Sequence, residues 1–395
     1  MAEALSFGCR LNAAESEAMR RLAERSGWAG ALVVNTCAVT AEAEAQARQA
    51  IRRAAREAPG RPILVTGCAA QIAPDAWASL PGVARVIGNG RKLDPAAWDA
   101  PPAPITVADK VVPAASAGTR AFLAVQQGCD HHCTFCVIPQ GRGPSRGLPI
   151  AEAAGEAAAL AERHREIVLT GVDLASHPDL PGLIRAVLRA APGLARLRLS
   201  SLDPAALDDR FWAVWAEEER LAPALHLSVQ HADDLILKRM RRRHRHLDLL
   251  ALARRARDLR PGAALGGDLI AGFPTETEAQ HAWLEAFIAE AGLAFLHVFP
   301  YSPRLGTPAA RMPPLPVPLR RDRAARLRAA GLRERARFLA GRIGAEEEVL
   351  MEGKGLGMTA HGAALRLSGN PAPPGTLLRA RVTGTDGATL SGEHI

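Results

Sequence analysis

The chain has 395 residues, 48% of them hydrophobic, enough for two or three domains with real cores. Lys and Arg outnumber Asp and Glu by 49 to 41, and the resulting formal +8 favours a polyanionic partner only weakly. The start MAEALSFGC lacks the basic and apolar regions of a signal peptide, and Arg, Glu and Pro interrupt every Ala-rich stretch, so no secretion signal or membrane span is indicated. A cytoplasmic protein is therefore expected, with its six cysteines reduced and read as metal ligands or reactive groups rather than as disulfides.

In chain order, LSF (5–7), ALVVN (31–35) and ILVT (63–66) read as short strands, with helix formers at 12–25 and 40–58 between them. This βαβα pattern predicts an open parallel α/β domain over residues 1–110. Each strand runs into a cysteine: Gly8-Cys9, Thr36-Cys37 and Gly67-Cys68. Open α/β sheets bind ligands along the carboxyl edge of their strands, so three cysteines with 27 and then 30 residues between them can meet at one point. Residues 92–118, with PPAPITVADKVVPAAS, read as a linker.

From Thr119 a longer series begins: AFLAVQ (121–126), IVLT (167–170), LRLS (197–200), LHLSV (225–229), LGGDLI (265–270) and FLHVF (295–299). Six strand–helix units predict a partial (β/α)6 barrel over 119–340, because a closed eight-fold barrel needs about 250 residues. An Arg/Ala-rich helix is predicted at 318–342. Alternating short strands with glycine turns then predict a small C-terminal β-barrel over 341–395.

The first barrel strand leads into Cys129-Asp-His-His-Cys133-Thr-Phe-Cys136, a C-x3-C-x2-C triplet. Its thiolates suit an iron–sulfur cluster or zinc. Three ligands leave one metal position open, where something reactive can bind. A structural zinc knuckle with His131 or His132 as fourth ligand is the alternative, although no second paired knuckle is present. The run KRMRRRHRH (238–246) either sits against phosphates or forms a solvated helix face.

A C-x3-C-x2-C loop after the first strand of a partial barrel, with Phe135 before the third cysteine, resembles the radical S-adenosylmethionine enzymes. That resemblance implies a [4Fe–4S] cluster on Cys129, Cys133 and Cys136, its fourth iron chelated by S-adenosylmethionine. The second group, Cys9, Cys37 and Cys68, narrows the resemblance to the methylthiotransferases, over essentially the whole chain. The stretches NTCAVT (35–40), VQQGCDHHCTFCVIPQGRGPSRG (125–147), LTGVDL (169–174), LRLSSLDP (197–204), LILKRMRRRH (235–244), LIAGFPTET (269–277) and HVFPYSPRLGTPAA (297–310) look most like the branch acting on N6-threonylcarbamoyladenosine at position 37 of tRNA. Thr40 after NTCAV and the contiguous RGPSR (142–146) set it apart from the isopentenyladenosine branch; His231-Ala232 after Gln230 departs from the family's usual Ser-Gly or Ala-Gly.

The resemblance implies two [4Fe–4S] clusters and two molecules of S-adenosylmethionine per turnover, one methylating a sulfur at the auxiliary cluster and one supplying a radical at adenine C2. It implies tRNA and a reductase or a flavodoxin or ferredoxin as partners, no membrane association, a monomer, and a terminal barrel resembling the RNA-binding TRAM domain. Around the cofactor, Phe135, Gly171, Asp173, Ser200 and Gln230 are expected, with helix-cap or turn roles as the alternative for the last four. Arg142 and Arg146 are the candidate readers of a substrate phosphate or carboxylate, or else partners of nearby acids. GFPTET (272–277) is weighed as a clamp without P-loop spacing, and Tyr301 as a stacking or packing ring. Sister activities on isopentenyladenosine or on a ribosomal-protein aspartate, and a non-enzymatic iron–sulfur RNA-binding or electron-transfer protein, complete the alternatives.

Overall fold

The computed structural model describes residues 1–8, 10–99, 105, 111, 118–369 and 372–395. The N-terminal part is a parallel sheet of β1 (Glu3–Ser6), β2 (Leu32–Thr36), β3 (Ile63–Gly67) and β4 (Val83–Val86), in that spatial order. Helices Arg10–Arg25 and Ala41–Glu57 make the first two crossovers. Thr40 caps the second by accepting the Ala43 N–H. Both faces of the sheet are covered, so every residue of β2 and β3 is buried. The register pairs Ser6 with Asn35 and Thr36 with Gly67, which aligns the carboxyl ends of the strands. Gly67 has φ +99°, and a Cβ there would stand 2.3 Å from the Thr36 carbonyl oxygen, so only glycine fits the turn into Cys68.

The linker reading needs correction at its start. Residues 96–99 form a short helix whose Trp98 is buried, its indole N–H donating to the Lys92 carbonyl; Lys92 is buried too. This stretch closes the N-terminal core rather than leaving it. Most of 100–117 lies outside the described residues.

The central part has two three-stranded parallel sheets. One comprises β5 (Ala121–Ala124), β8 (Glu166–Thr170) and β9 (Arg196–Leu199); the other comprises β10 (Ala224–Gln230), β11 (Ala264–Ala271) and β12 (Leu293–Pro300). Parallel bridges Leu197–Leu221 and Leu202–Leu227 join them, giving a six-stranded partial barrel open between β5 and β12. A two-residue ladder, β6 (Gln126–Gln127) with β7 (Arg146–Gly147), pins the base of the cysteine loop. Strand residues alternate in the expected way. Leu225, Leu227 and Val229 of β10 and Leu265, Leu269 and Ala271 of β11 pack against the outer helices, so the intervening residues face the lumen. Helix Val317–Ala340 packs along β12.

The chain ends in a closed barrel of β13 (Glu346–Gly353), β14 (Leu356–Thr359), β15 (Ala364–Leu367), β16 (Leu377–Thr385) and β17 (Leu390–His394), ordered β13-β14-β15-β17-β16. It sits on the amino ends of β8 and β9. Glu166 ion-pairs with Arg196 and Arg198 at 2.9 Å each. Arg196 also donates to Glu348, and Arg198 donates to the Thr359 carbonyl at 3.2 Å. All three side chains are buried. No helix among the described residues is long and apolar enough to cross a membrane.

Candidate metal and cofactor site

The cysteine loop leaves β5 and is fixed by its own backbone. The Cys129 N–H donates to Gly143 O, Cys136 N–H to Cys133 O, and Thr134 is tied to Met240 O, Arg239 O and the Ala309 N–H. Phe135 packs edge-on against Phe273, which stacks edge-on against Tyr301, closing one side with an apolar wall. The sulfurs themselves accept hydrogen bonds: the His131 N–H reaches Cys129 Sγ and the Ile138 N–H reaches Cys136 Sγ, each at 3.4 Å, and Arg242 Nη1 reaches Cys133 Sγ at 3.5 Å. Burial, with neighbouring negative charge, pushes the Cys129 and Cys136 thiols up to about 12. Three thiols held this way ionise when a cationic metal centre arrives, and donors aimed at sulfur are what iron–sulfur thiolates use, so the residues fit such a cluster.

His131 turns outward, with Nε2 2.7 Å from Asp173 and 3.2 Å from Asp203. The hydrogen bonds to Asp173 and then Asp203 raise it to about 9, so it forms the outer wall of the loop as a cation. Its imidazole, Cys129 and Asp173 do bring three donor atoms within 4.8 Å, but the ring is already engaged by two carboxylates.

Cys37 and Cys68 are both buried at the carboxyl ends of β2 and β3; Cys9 lies outside the described residues. The Val39 N–H points at Cys37 Sγ at 3.4 Å, repeating the i+2 amide-to-sulfur contact of Cys129 and Cys136. What brings the cysteine loop onto Cys68 is the short helix Ile138–Arg142, which starts two residues after Cys136. Its Gly141 lies so close to Cys68 that a Cβ would come within 3.2 Å of the Cys68 Cβ. Arg142 Nε donates to Cys68 Sγ at 3.2 Å. The charge of Cys68 is in turn among the influences that raise Cys136.

Arg142 is itself buried and fully enclosed. It pairs with Glu15 at 2.9 Å, donates to Asn12 Oδ1 at 2.6 Å and is hydrogen-bonded to Gln127. Lys92 pairs with Glu15 as well, sharing Oε2 with Arg142. Burial alone would raise the Glu15 carboxyl, but the charges of Arg142 and Lys92 outweigh it and hold Glu15 far below the carboxylate range. Arg142 thus realises the acid-paired alternative. Arg146 donates to the carbonyls of Pro144 and Arg142 and stays half-buried at the loop base.

The other expected residues line the carboxyl ends of the barrel strands. Gly171 follows β8 and abuts Gln126. Asp173 accepts from His131 and Ser176, its N–H donating to Gln126. Ser200 follows β9, buried, with an Oγ that has no partner among the described residues; Gln230 ends β10 at φ +66°. An orphaned buried hydroxyl at the carboxyl end of a barrel strand is what a bound polar cofactor would satisfy. Two expectations change. In GFPTET the Gly272 and Phe273 amides donate to Glu276, so they are not free to clamp a phosphate. The run 238–246 is neither a continuous helix face nor wholly a phosphate patch. A helix ends at Met240, Arg241 turns at φ +58°, Arg242 reaches Cys133 and Ser228 O, and His244 is buried, while Lys238, Arg241, Arg243 and Arg245 remain exposed. Sequence reasoning passed over Asn12, Glu15, Lys92, Gln127 and Arg242. Asn12 and Glu15 carry a signal, as polar residues on the same helix face as buried Leu11 and Met19.

A three-cysteine loop at the carboxyl mouth of a six-stranded partial barrel defines a radical S-adenosylmethionine enzyme, and residues 123–287 match the Radical SAM superfamily. Residues 2–88 match a family described as uncharacterized protein family UPF0004. Among relatives, the threonylcarbamoyladenosine tRNA methylthiotransferase MtaB of Rickettsia prowazekii is 43% identical over 90% of this chain and 89% of its own. The tRNA-2-methylthio-N(6)-dimethylallyladenosine synthase of Erythrobacter litoralis is 35% identical over 89% and 86%. The fold is similar to that of the cobalamin-dependent S-adenosylmethionine radical enzyme OxsB, with a TM-score of 0.52 over 82% of this chain and 55% of that one, at 11% identity. The chain belongs to the radical S-adenosylmethionine methylthiotransferase family, alongside these tRNA-modifying enzymes.

Proposed function

We propose that this enzyme places a methylthio group on C2 of the N6-threonylcarbamoyladenosine at position 37 of tRNA. The observation that carries the reading is the helix Ile138–Arg142, which seats Gly141 and Arg142 on Cys68 directly after Cys136. A sulfur centre and a radical centre that must act on one carbon need this proximity. Cys129, Cys133 and Cys136 hold one [4Fe–4S] cluster, and Cys37, Cys68 and Cys9 hold the other. When bound, the clusters with S-adenosylmethionine supply the 5′-deoxyadenosyl radical and the methylated sulfur, chemistry no side chain of this chain can provide. The protein's own part is placement. Ser200, Gln230, Gly171 and Asp173 meet the cofactor at the strand ends, Phe135 walls it from water, and Arg142 and Arg242 hold a ligand sulfur of each centre. Two molecules of S-adenosylmethionine serve each turnover, and a reductase, flavodoxin or ferredoxin supplies electrons.

We assign residues 1–110 to the auxiliary-cluster domain, 119–340 to the radical domain and 341–395 to a TRAM-like RNA-binding barrel. Lys238, Arg241, Arg243 and Arg245, with Arg146 at the loop base, offer cations to the tRNA backbone. The relative of 43% identity carries the threonylcarbamoyladenosine name, and this supports the choice of substrate over the dimethylallyl sibling. Nucleoside mass spectrometry of tRNA from a strain lacking the gene tests the reading. The 2-methylthio-N6-threonylcarbamoyladenosine peak should vanish, with its unmethylthiolated precursor accumulating. Loss of the isopentenyl product, or an unchanged tRNA profile, overturns the substrate. Anaerobic reconstitution should yield about eight irons, the sum of two four-iron clusters.

A further inference from the structure

Below the cluster loop, three adjacent strands present a compact polar patch to the barrel lumen. His226 of β10, Asp268 of β11 and His297 of β12 stand on the lumen face, opposite the leucines that pack on the helices. A Cβ on Gly266 would meet both His226 and Phe295, which places those side chains on the same inner face. Asp268 Oδ1 accepts from His226 Nε2 at 2.9 Å and from His297 Nδ1 at 3.1 Å, and Oδ2 accepts from Ser201 at 3.0 Å. The imidazole rings lie 4.5 Å apart. Burial would raise Asp268, but the hydrogen bonds from His226 and His297 outweigh it and keep the carboxylate ionised. Each of its oxygens is thus committed to a neighbour.

The patch is tied to the radical site. Ser201 is hydrogen-bonded to Ser228, and Arg242 donates one arm to the Ser228 carbonyl and the other to Cys133 Sγ. The three polar side chains are not equivalent. The His226 and Asp268 side chains are 20% exposed and mutually satisfied, whereas the His297 side chain is 55% exposed. Asp268 fixes the His297 ring through Nδ1, which leaves Nε2 on the far edge with no partner among the described residues. An imidazole held by a carboxylate on one nitrogen and bare on the other is a fixed hydrogen-bonding arm. A lumen meant for an alkyl substituent would instead be lined with apolar side chains here.

We infer that His297, held on Asp268, is a specificity-determining residue that accepts a hydrogen bond at Nε2 from an N–H or hydroxyl of the carboxylate-bearing acyl group on N6 of the target base. The inference rests on the methylthiotransferase reading above and names the residue that selects its substrate. Arg142, the sequence's candidate for this task, is enclosed by Glu15, Asn12, Gln127 and Cys68, whereas His297 lies open in the lumen.

The test is equilibrium binding of anticodon stem-loop RNAs bearing N6-threonylcarbamoyl, N6-isopentenyl or unmodified adenine to the reconstituted full chain. The wild type should prefer the threonylcarbamoyl RNA over the unmodified one by about tenfold, as expected of one well-placed hydrogen bond. His297→Leu should erase that preference without shifting the melting temperature, and His297→Gln should keep part of it. A preference unchanged in His297→Leu overturns the inference. So does an equal loss of affinity for all three RNAs in both variants, which would make the residue a lumen support. A wild type that prefers the isopentenyl RNA removes the proposed function, and this inference with it; a wild-type preference for threonylcarbamoyl that survives in the variants removes the inference alone.

Discussion

Arg142 holds its place through charge as much as through shape. Its guanidinium neutralises a fully buried Glu15 while handing one N–H to a cysteine sulfur. Removing one partner of such a pair leaves the other charged and desolvated, which costs about 3–5 kcal/mol. Lys92 shares Glu15, so Arg142→Met should fall near the lower end, about 3 kcal/mol, in chemical denaturation of the cluster-free protein. Glu15→Gln and Lys92→Met combined with Arg142→Met should recover much of that loss, because no buried charge is then left without its partner. Equal destabilisation in the single and triple variants would show that Arg142 acts by packing and not by compensating Glu15. Spectroscopy of the loaded protein gives an independent view: losing a donor to Cys68 should lower the midpoint potential of the auxiliary cluster, and Arg142→Lys should restore it only in part, since an ammonium lacks the planar fork.

At the scale of elements, the helix Ile138–Arg142 works because Gly141 lets its backbone lie on Cys68. Gly141→Val would drive a branched side chain into a gap of 3.2 Å, and overpacking of this kind costs about 1–3 kcal/mol. The helix should back away, and Cys68 of the cluster-free protein, now 4% exposed, should alkylate about tenfold faster, as followed by peptide mass mapping. An unchanged rate would mean that this contact does not hold the two cysteine groups together. Much of this architecture could be read in advance, for reasons that vary by element. β2 and β3 are continuous apolar runs ending in a cysteine, and β16 alternates buried Leu378, Ala380 and Val382 with exposed Arg379 and Arg381. β4 was not legible because VARV lies at the sheet edge, only partly buried and with an arginine inside it. The helix around Trp98 was hidden by its proline-rich surroundings. The six cysteines stand out by type and spacing, but which arginine serves a substrate and which a sulfur is decided by contacts between distant segments. Arg142 meets Glu15, 127 positions away, and no local pattern announces that pairing. His297 looked like one polar residue in a strand until two neighbouring strands set Asp268 and His226 beside it.

At the scale of the whole molecule, three units pack around one lumen. Cys37 and Cys68 lie beside the Cys129–Cys136 loop at the carboxyl mouth of the partial barrel, while the C-terminal barrel sits against its amino end, with Glu166, Arg196 and Arg198 buried in the joint. That buried joint covers the amino ends of β8 and β9, so cofactor and nucleobase are expected to enter by the carboxyl mouth, and whatever enters last to leave first. A stem-loop RNA docked over the mouth should therefore act as a stopper and slow the escape of S-adenosylmethionine already inside by about tenfold or more, a range familiar from lids that commit substrates. Chasing labelled cofactor with unlabelled cofactor, with and without RNA, measures this directly. Equal escape rates would mean that a second exit exists; a slowed one would make the docked terminal barrel the back wall that imposes an order of loading on the catalytic cycle.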